Sequence, residues 1–463
     1  MMLGILIGHE WRKHRSSLRF RLSWILMLCV FVCGTTAFIR QWKNTETEYQ
    51  QYQAGKSSDY TKWTITDYAN DTKEYLLQTR LSSLIDPCSE QQLPSTFTYS
   101  VFGVHDFSTT FSVKNPLMEH NGSFSWAFVV TTLLSFITLL LSFNVFSGEK
   151  ETHTLGFLLT YPVSRFSLLL SRYLCIMLQS GIILFSGIGV GILILLLAGI
   201  GITMQFLALC GGFFLWALLL LSLFAAFGLF ASTATKHSGN SLLLCIVFWV
   251  LCVIILPNSR LFIAHYLYPL PTTFEKVQKD YQQQQRQIID ETPVSALGNR
   301  GNEPFYPPHE MRADMMRRML EVKLHTLNNY YQLGEQQYEK TNRLLIASPI
   351  ITFNRLNECW LDGGYTRFIK NKQALQEFCL RFMEWYKSED AKDPKSPHWL
   401  NPQESYSSSQ RPLTETEYPV YQEPESLMHE RLKSSLPHVL ILIGSTLIWF
   451  FLSIFAFNKY DVR

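Results

Sequence analysis

Hydrophobic and polar positions divide this chain into long apolar runs and two long polar segments. Six of the runs contain no Asp, Glu, Lys or Arg, and a bilayer core requires about 20 such residues per helix. The fifth run is the shortest and reaches 18 residues when it is taken from Gly239. The pattern therefore predicts six membrane-spanning helices, at residues 22–39, 124–145, 173–198, 206–231, 239–256 and 437–457.

The two polar segments, 40–123 and 257–436, hold more than half of the chain. In the first segment, residues 96–113 alternate between apolar and polar positions, which is typical of short strands. In the second segment, residues 389–425 are rich in Pro, Ser and Glu, which indicates irregular chain. Elsewhere in the second segment apolar residues recur every three or four positions, which predicts helices at 275–290, 308–347, 350–361 and 365–387.

The predicted fold class is an α-helical polytopic membrane protein with six transmembrane helices. A largely helical extracytoplasmic domain, 257–436, precedes the last helix, and a smaller mixed domain, 40–123, follows the first. The composition agrees, because the 463 residues are 47% hydrophobic and 17% charged, whereas soluble domains are roughly one quarter charged. This balance excludes a disordered chain and an ordinary soluble enzyme.

Charge asymmetry predicts the orientation of the spans. If the N-terminus is inside, the inner pieces hold 11 Lys and Arg against 4 Asp and Glu. Five of the basic residues stand just before the first span, where the positive-inside rule is strongest: Arg12, Lys13, Arg15, Arg19 and Arg21. We therefore expect a multi-pass membrane protein with both termini cytoplasmic. The inner pieces are an N-terminal helix at 1–21, a loop at 146–172, a turn at 232–240 and a tail at 458–463.

A basic start before an apolar run also describes a signal peptide. The first run is long for the apolar core of a signal, and Thr35-Thr36-Ala37 matches a cleavage site only loosely. We therefore expect that the first helix is retained as a membrane span.

Nine cysteines are present, and only Cys88, Cys359 and Cys379 lie outside the predicted spans. Because three thiols cannot all pair within one chain, a Cys359–Cys379 disulfide and three reduced, buried thiols both stay open. No Cys-x-x-Cys pair occurs, which argues against a zinc ribbon or a thioredoxin-type site. No two histidines of the polar segments are close enough in sequence for a local metal site, so no metal is predicted.

The loop between the second and third spans contains residues 147–165. Two acids begin it, apolar residues follow at Leu155, Leu158 and Leu159, and Pro162 ends it. This arrangement predicts a short amphipathic helix whose acidic start suits its own dipole. Such a helix either contacts a partner protein or lies at the membrane surface without one, and the pattern alone leaves both open.

Two motifs of this loop resemble the ABC-2 type permeases, the membrane subunits of ATP-driven transporters. They are Gly-Glu-x-Glu-x-x-Thr-Leu at 148–155 and Leu-Leu-x-x-Pro-Val-Ser-Arg at 158–165. The stretch Glu10-Trp11-Arg12-Lys13 is similar to the elbow helix of the same family, and six spans with both ends inside also agree. The helical segment with Ser348-Pro349 and the following 353–356 resembles the branch of nitrous-oxide-reductase maturation and gliding-motility permeases.

The resemblance implies that the loop is a coupling helix held in a groove of a separate ATPase. Arg165 is expected at the end of this contact, against the ATPase or phosphates. Snorkelling at the inner face explains Arg165 and Arg172 equally well. The remaining residues that the resemblance places at the contact are Gly148, Glu149, Glu151, Thr154, Leu155 and Pro162.

Several expected sequence signals of catalysis are missing. The chain has no Gly-x-x-x-x-Gly-Lys-Ser/Thr phosphate loop and no Gly-x-Ser-x-Gly nucleophile elbow. We therefore expect no enzyme activity and no cofactor in this chain, with ATP and Mg²⁺ bound by the partner ATPase. The spans also lack the titrating groups that an ion relay of a secondary transporter requires, so the energy must come from another subunit.

Gly187 and Gly191 form a Gly-x-x-x-Gly motif in the third span, which predicts close helix packing, within the chain or in a dimer. We expect the packing within the chain. The expected partners are a cytosolic ATPase, a second permease copy or a paralogue, and membrane lipid, with no nucleic acid. The apolar spans favour an amphiphilic or lipid-like substrate, or none at all.

Two function hypotheses follow. In the first, the chain is a permease subunit that couples ATP hydrolysis by the separate ATPase to export of an amphiphilic substrate. In the second, the ATPase moves the extracytoplasmic domain to act on a periplasmic or envelope partner, and nothing crosses the membrane. The 180-residue second polar segment favours this mechanotransmitting role, because a plain exporter needs no such mass. A membrane-anchored enzyme or receptor is a third hypothesis, and the missing motifs argue against it.

Overall fold

A computed structural model of the chain describes residues 2–15, 17–55, 63–88, 90, 93, 96–104, 124–160, 163–271, 273–292, 309–396, 409, 411–413 and 418–459. Within these residues six helices are long and apolar enough to cross a membrane, which confirms the predicted fold class. These first to sixth spans are Leu18–Gln51, Trp126–Glu151, Arg165–Leu197, Met204–Ala234, Ser238–Arg260 and Met428–Asn458.

The described part of the chain is mainly helical, with one small sheet. Its strands are β1 (Lys73–Leu76), β2 (Thr96–Ser100) and β3 (Gly103–Val104). Its helices are α1 (Met2–Arg15), α2 (Leu18–Gly55), α3 (Ile65–Asn70), α4 (Trp126–Phe128), α5 (Ser135–Ser142), α6 (Ser147–Glu151), α7 (Thr154–Leu159), α8 (Arg165–Leu197), α9 (Met204–Ala234), α10 (Ser238–Trp249), α11 (Leu256–Leu267), α12 (Phe274–Glu291), α13 (His309–Leu344), α14 (Pro349–Leu361), α15 (Gly364–Asp390) and α16 (Met428–Asn458).

The first span is much longer than the apolar run that predicted it. The 38 residues of α2 extend about 57 Å, whereas a hydrocarbon core is about 30 Å thick. The helix starts at Leu18 rather than at residue 22 because Ser17 caps it, with its hydroxyl accepting from the backbone N–H of Phe20 at 3.3 Å. The N-terminal helix α1 accordingly ends at Arg15 and not at residue 21.

The fourth span, α9, forms the centre of the bundle. It is apolar around its whole circumference, and most of its side chains are buried against neighbouring helices, although Leu215 is exposed. It packs against α5, α8, α10, α14 and α16. The end of the bundle that carries α1, α6, α7 and the last turn of α16 is called the loop end below, and the opposite end is called the domain end.

The second and fifth spans each contain a π-helical stretch, Val129–Leu134 and Val250–Ile255. Such stretches are rare and interrupt regular α-helix. The two spans meet beside them, where Trp249 Nε1 donates to Ser135 Oγ at 3.0 Å. The two π-helical stretches therefore lie side by side in the bundle.

Gly187 and Gly191 of α8 lie against the first two spans. A Cβ at Gly187 would stand 2.5 Å from the ring of Phe31, and a Cβ at Gly191 would stand 2.5 Å from the ring of Trp126. The third span therefore contacts the first and second spans within one chain, at positions where only glycine fits.

At the domain end, the described residues of the two polar segments pack together as one unit, called the polar domain. The antiparallel sheet follows the order β1-β2-β3, with Tyr99 opposite both Lys73 and Val104. Of the predicted strand region 96–113, residues 105–113 lie outside the described chain.

Aromatic residues join the sheet of the first segment to α15 of the second. Phe97 stacks on Phe368 with ring centroids 5.6 Å apart, and Tyr99 packs edgewise on Phe378 at 5.7 Å. The two segments, which the sequence divided into two domains, thus share one hydrophobic core. The reason is size, because a short three-stranded sheet buries too little apolar area to be stable alone.

The long helices of the polar domain, α12 to α15, follow the predicted ranges within a few residues. Ser348 ends the preceding 3₁₀ turn and caps α14, and Pro349 occupies the first turn, where its missing N–H is not needed. Asp362, in a left-handed conformation, ends α14 before α15 begins.

Helix α14 attaches the polar domain to the bundle. It packs against both α9 and α16. Trp360 Nε1 donates to the carbonyl of Leu209 at 3.1 Å, and a Cβ at Gly212 would stand 2.3 Å from the Trp360 ring. The ring therefore occupies the groove that Gly212 leaves on α9.

A buried ion network holds α15 to the chain that leads into α16. Arg367 Nε and Nη2 donate to Glu423 at 2.7 and 2.9 Å, and Arg80 Nη2 also contacts Glu423, at 2.8 Å. Burial acts to raise the pKa of Glu423, but the hydrogen bonds and charge of Arg367 outweigh it, so this pKa lies below its usual range.

None of the nine cysteines, all of which lie in the described residues, forms a disulfide in the structure, and Cys88, Cys359 and Cys379 are buried. The Cys359–Cys379 disulfide that the sequence left open is therefore not formed.

Candidate functional site

The segment predicted as the loop, 146–172, contains two short helices instead of the predicted single one, and the first of them, α6, is also the last turn of the second span. Helix α6 ends at Glu151, and α7 begins at Thr154. Between them His153 adopts a left-handed backbone with φ of 55°, which non-glycine residues rarely do. The turn separates the acids of the loop from its apolar residues.

The side chain of Arg172, two turns inside α8, lies at the centre of the loop end. It is only 2% exposed. Its Nη2 donates to both carboxylate oxygens of Glu149 at 2.7 Å, its Nη1 donates to the carbonyl of Val145 at 2.8 Å, and its Nε donates to Glu10 at 3.3 Å. The guanidinium also stands 4.4 Å from the centre of the Phe146 ring. One cation thus joins α8, α6 and α1.

Burial of this cluster makes it sensitive to change. A buried arginine with two carboxylate partners and a carbonyl has most of its donors satisfied, which offsets its desolvation. Removing the arginine would leave two acids, Glu10 and Glu149, close together with no compensating charge, and such a loss commonly costs about 3 to 5 kcal/mol.

The elbow residues of α1 have different positions. Glu10 is buried against Arg172. Trp11 packs edgewise on Phe20 of α2, with ring centroids 6.1 Å apart, and Arg12 is exposed. Lys13 belongs to the same helix, and its side chain lies outside the described part of the structure.

Lys150, the next residue after Glu149, contacts the end of the fourth span. Its Nζ donates to the carbonyls of Thr233 at 2.5 Å and Thr235 at 3.0 Å, and that of Ser232 lies at 3.5 Å. The last carbonyls of a helix have no partner within it, and a cation there also suits the helix dipole. Lys150 therefore caps α9.

Glu151 contacts the start of the fifth span. Its carboxylate accepts from the backbone N–H of Ser238 at 2.8 Å and from the Ser238 hydroxyl at 2.6 Å. His237 Nδ1 lies 3.6 Å away. Since the first N–H groups of a helix also have no partner within it, Glu151 caps α10 as Lys150 caps α9.

The other predicted contact residues are spread over both faces of the loop. Leu155 is buried, and Thr154 is exposed, with its hydroxyl 2.9 Å from that of Thr152. Gly148 faces Asn144, where a Cβ would have ordinary contact at 3.8 Å. Pro162 lies outside the described residues.

Arg165, at the start of α8, contacts the end of the sixth span. Its Nη1 donates to the carbonyls of Phe457 at 2.9 Å and Asn458 at 3.1 Å. It therefore caps α16 in the same manner as Lys150 caps α9.

The solvent-facing part of the described loop includes the turn and one aromatic residue. Thr152, His153 and Thr154 are exposed. Phe157 is 74% exposed, although Leu155 in the same short helix is fully buried. These four residues are called the loop tip below.

Lys150 was not predicted from the sequence to be a functional residue. For Arg172 a functional contact and simple snorkelling both stayed open. For Arg172 a weak signal existed, because it is a charged residue beside a long apolar run. Lys150 carried no signal, since its partners are backbone carbonyls more than 80 residues away.

No cluster of three or more potential metal ligands is found among the described residues. The charged groups of the loop end pair with one another and with helix termini. Through these pairs the described charged side chains connect the ends of separate helices.

Comparison with known families agrees with this arrangement. A family model described as ABC-2 family transporter protein matches residues 5–462, which include all six spans, the loop and the polar domain. None of the curated proteins compared with the chain matches it. Membership of the family implies that a separate ATPase completes the transporter. Because the match extends over almost the whole chain, the protein belongs to the ABC-2 family of transporters and is a multi-pass membrane permease.

Proposed function

We propose that the chain is the permease subunit of an ATP-driven exporter in a bacterial plasma membrane, with both termini and the loop end in the cytoplasm. ATP and Mg²⁺ are bound by the partner ATPase, since the chain has no phosphate loop. The permease works as a dimer with a second copy or a paralogue. The excess of Lys and Arg in the pieces at the loop end supports this orientation.

The loop tip is the proposed contact for the ATPase. The exposure of Phe157 carries this proposal, because an exposed aromatic side chain on a short, well-anchored helix is typical of binding hot spots. The acids Glu149 and Glu151 hydrogen-bond within the chain, so we assign them to holding the loop rather than to the ATPase surface.

Copurification tests this contact. Phe157→Ala should weaken binding of the ATPase at least tenfold, which corresponds to a loss of about 1.4 kcal/mol or more. Phe185→Ala is the matched control, because Phe185 is 70% exposed but lies in the middle of the third span. Wild-type affinity of the Phe157→Ala variant would overturn the assignment of the tip.

Labelling with a membrane-impermeant maleimide tests the orientation. Cysteines placed at the exposed positions Gln51 and Glu275 should react in intact cells, whereas one at Thr152 should react only after permeabilisation. Cys29 and Cys33, which are exposed on the first span, are replaced by Ser in this background. The reverse pattern would show that the loop end faces outward, where no cytosolic ATPase can reach it.

The proposed substrate is amphiphilic. Several polar groups of the spans are already paired within the bundle: Ser186 accepts from Trp24 Nε1 at 2.9 Å, and Thr138 and Ser180 lie 3.1 Å apart. A bundle of this kind offers mainly apolar side chains to a substrate. ATP hydrolysis in proteoliposomes should therefore be stimulated by lipids or detergent-like compounds more than by small polar solutes.

The position of α14 supports a second candidate function, mechanotransmission. Because α14 is packed between α9 and α16, movement of these spans moves the polar domain, which then acts on an envelope partner without transport. Stimulated ATP hydrolysis with no movement of any stimulating compound across the liposome membrane would favour this function over export.

A further inference from the structure

Three consecutive side chains of α6 contact three different spans. Glu149 binds Arg172 of α8, Lys150 caps the end of α9, and Glu151 caps the start of α10. Because α6 is a single short helix of five residues, any displacement of it acts on all three contacts at once.

We propose that 149–151 is the element that distributes movement of the loop among the third, fourth and fifth spans, with one side chain for each span. Arg172 is the positioning residue of this element, since it also holds Glu10 and so includes α1. The inference rests on the proposed function, because it requires an ATPase that moves the loop.

The chemistry of the three contacts differs in a way that suits this role. In the first contact a single nitrogen of the buried Arg172, Nη2, donates to both carboxylate oxygens of the partly buried Glu149, and such charge-assisted hydrogen bonds are stronger than neutral ones. The other two contacts are caps on helix termini, where the span is held by backbone groups that are not used in its own helix. These two contacts therefore act on backbone groups of α9 and α10, whereas the first acts on α8 through the buried side chain of Arg172.

The connection of the loop to α9 does not depend on Lys150 alone. The backbone N–H groups of Phe146 and Ser147 both donate to Ser232 Oγ, at 2.8 and 3.0 Å. These bonds are made by residues that precede 149–151, so they preserve the packing of the loop end when the lysine is replaced. A Lys150 variant therefore loses the cap on α9 while the loop stays in place.

The experiment uses the full permease with its ATPase in nanodiscs and measures distances between spin labels with and without ATP. One label is at Leu432 on α16, and the second is at Phe185, Leu215 or Leu243, which are exposed positions of α8, α9 and α10. Cys29 and Cys33 are replaced by Ser. The variants Glu149→Gln, Lys150→Met and Glu151→Gln each weaken one contact.

Each variant should keep its ATPase within about threefold of wild-type affinity and should lose the ATP-dependent distance change at one span only. Glu149→Gln affects α8, Lys150→Met affects α9, and Glu151→Gln affects α10. Glu339→Gln is the matched control, because it neutralises one carboxylate of an exposed ion pair in the polar domain, Arg343–Glu339 at 3.0 Å, and it should leave all three changes intact. A merely structural role would lower thermal stability without this selectivity.

Three results would overturn the inference while the ATPase still binds: no distance change in the wild type, no loss in any variant, or loss at all three spans together. If Glu149→Gln does not accumulate, Glu149→Asp, which keeps the charge and shortens the side chain, must show the same selective loss. Failure of the ATPase to bind the wild-type permease would instead contradict the proposed function itself.

Discussion

The two ends of the bundle are held by different physical means. At the loop end, short helices are tied to the spans by single charged side chains, and only one side of α7 is buried. At the domain end, α14 is buried over nearly its whole length between α9, α16 and the polar domain. Hydrogen bonds to helix ends can break and form again singly, whereas a packed helix moves only as a body.

This difference indicates where adjustment takes place. A segment with few buried apolar contacts opens at a low free-energy cost, so the exposed loop tip can adjust to a partner while α6 keeps its contacts with the spans. The domain end is rigid at the contact between α14 and α9. Moving the Trp360 ring would either leave its groove on α9 empty or make the ring clash with neighbouring atoms. Movement of the spans that starts at the loop would then also displace the polar domain, because α14 does not shift relative to α9 and α16.

Overpacking of the contact between α14 and α9 has the largest expected effect among the tests of this comparison. Gly212→Ala places a Cβ 2.3 Å from the Trp360 ring, so the ring or α9 must shift. We expect a loss of about 1 to 3 kcal/mol or more, seen as a lower Tm of the purified permease in detergent. The same variant should loosen the coupling of the polar domain to the fourth span.

Gly211→Ala is the matched control for this substitution. The neighbouring Gly211 is exposed, and its Cβ would meet no atom within 4 Å. Alanine also has the higher helix propensity, by about 1 kcal/mol, so Tm should stay unchanged or rise slightly. An equal fall of Tm in both variants would show that α14 is not rigidly packed at this position.

The fold could be predicted largely from the sequence, because the bilayer imposes a strong rule on composition. Runs without charge located all six spans, and periodicity located α12 to α15. The ends of α2 were underestimated because a hydropathy rule stops at charged residues such as Arg19 and Arg40, whereas the helix continues through them.

The candidate site could be predicted only in part, because its partners are distant in sequence. Glu10 and Arg172 are 162 residues apart, and Glu151 and Ser238 are 87 apart. A local pattern can show that the loop is acidic, but it cannot show whether the acids face a partner protein or neighbouring spans. That choice depends on how three spans converge, which a single sequence does not contain.

The pH dependence of stability gives a smaller effect that sharpens the description of the domain end. Burial raises the pKa of Asp86 to about 6. A raised pKa of an acid means that its contribution to stability is fully present below its usual pKa, near 4, and is lost as pH rises through about 6. Asp86→Asn should therefore raise stability at pH 8, by about 1 to 3 kcal/mol, and change it little at pH 4.

Glu423→Gln, in the same domain, should change stability at pH 8 in the opposite direction to Asp86→Asn. The pKa of Glu423 is depressed, so its contribution is present above its usual pKa and is lost as pH falls. Its replacement should lower Tm at pH 8 and matter less in acid. Thermal unfolding of both variants at pH 4 and pH 8 is the measurement, and a lower Tm of Asp86→Asn at pH 8 would contradict the assignment.

The smallest expected effect concerns the buried thiols of the polar domain. Burial raises the pKa of Cys88 and of Cys359, so little thiolate is present at neutral pH, and the thiols should be unreactive in the folded protein. We therefore expect that a reducing agent leaves Tm unchanged and that maleimide modifies Cys88, Cys359 and Cys379 only after unfolding, as measured by mass spectrometry. A peptide linking Cys359 to Cys379 in an unreduced digest would contradict this. The result bears directly on the comparison of the two ends, because a domain without a covalent crosslink owes its rigidity to packing at α14 and to the ions around Arg367.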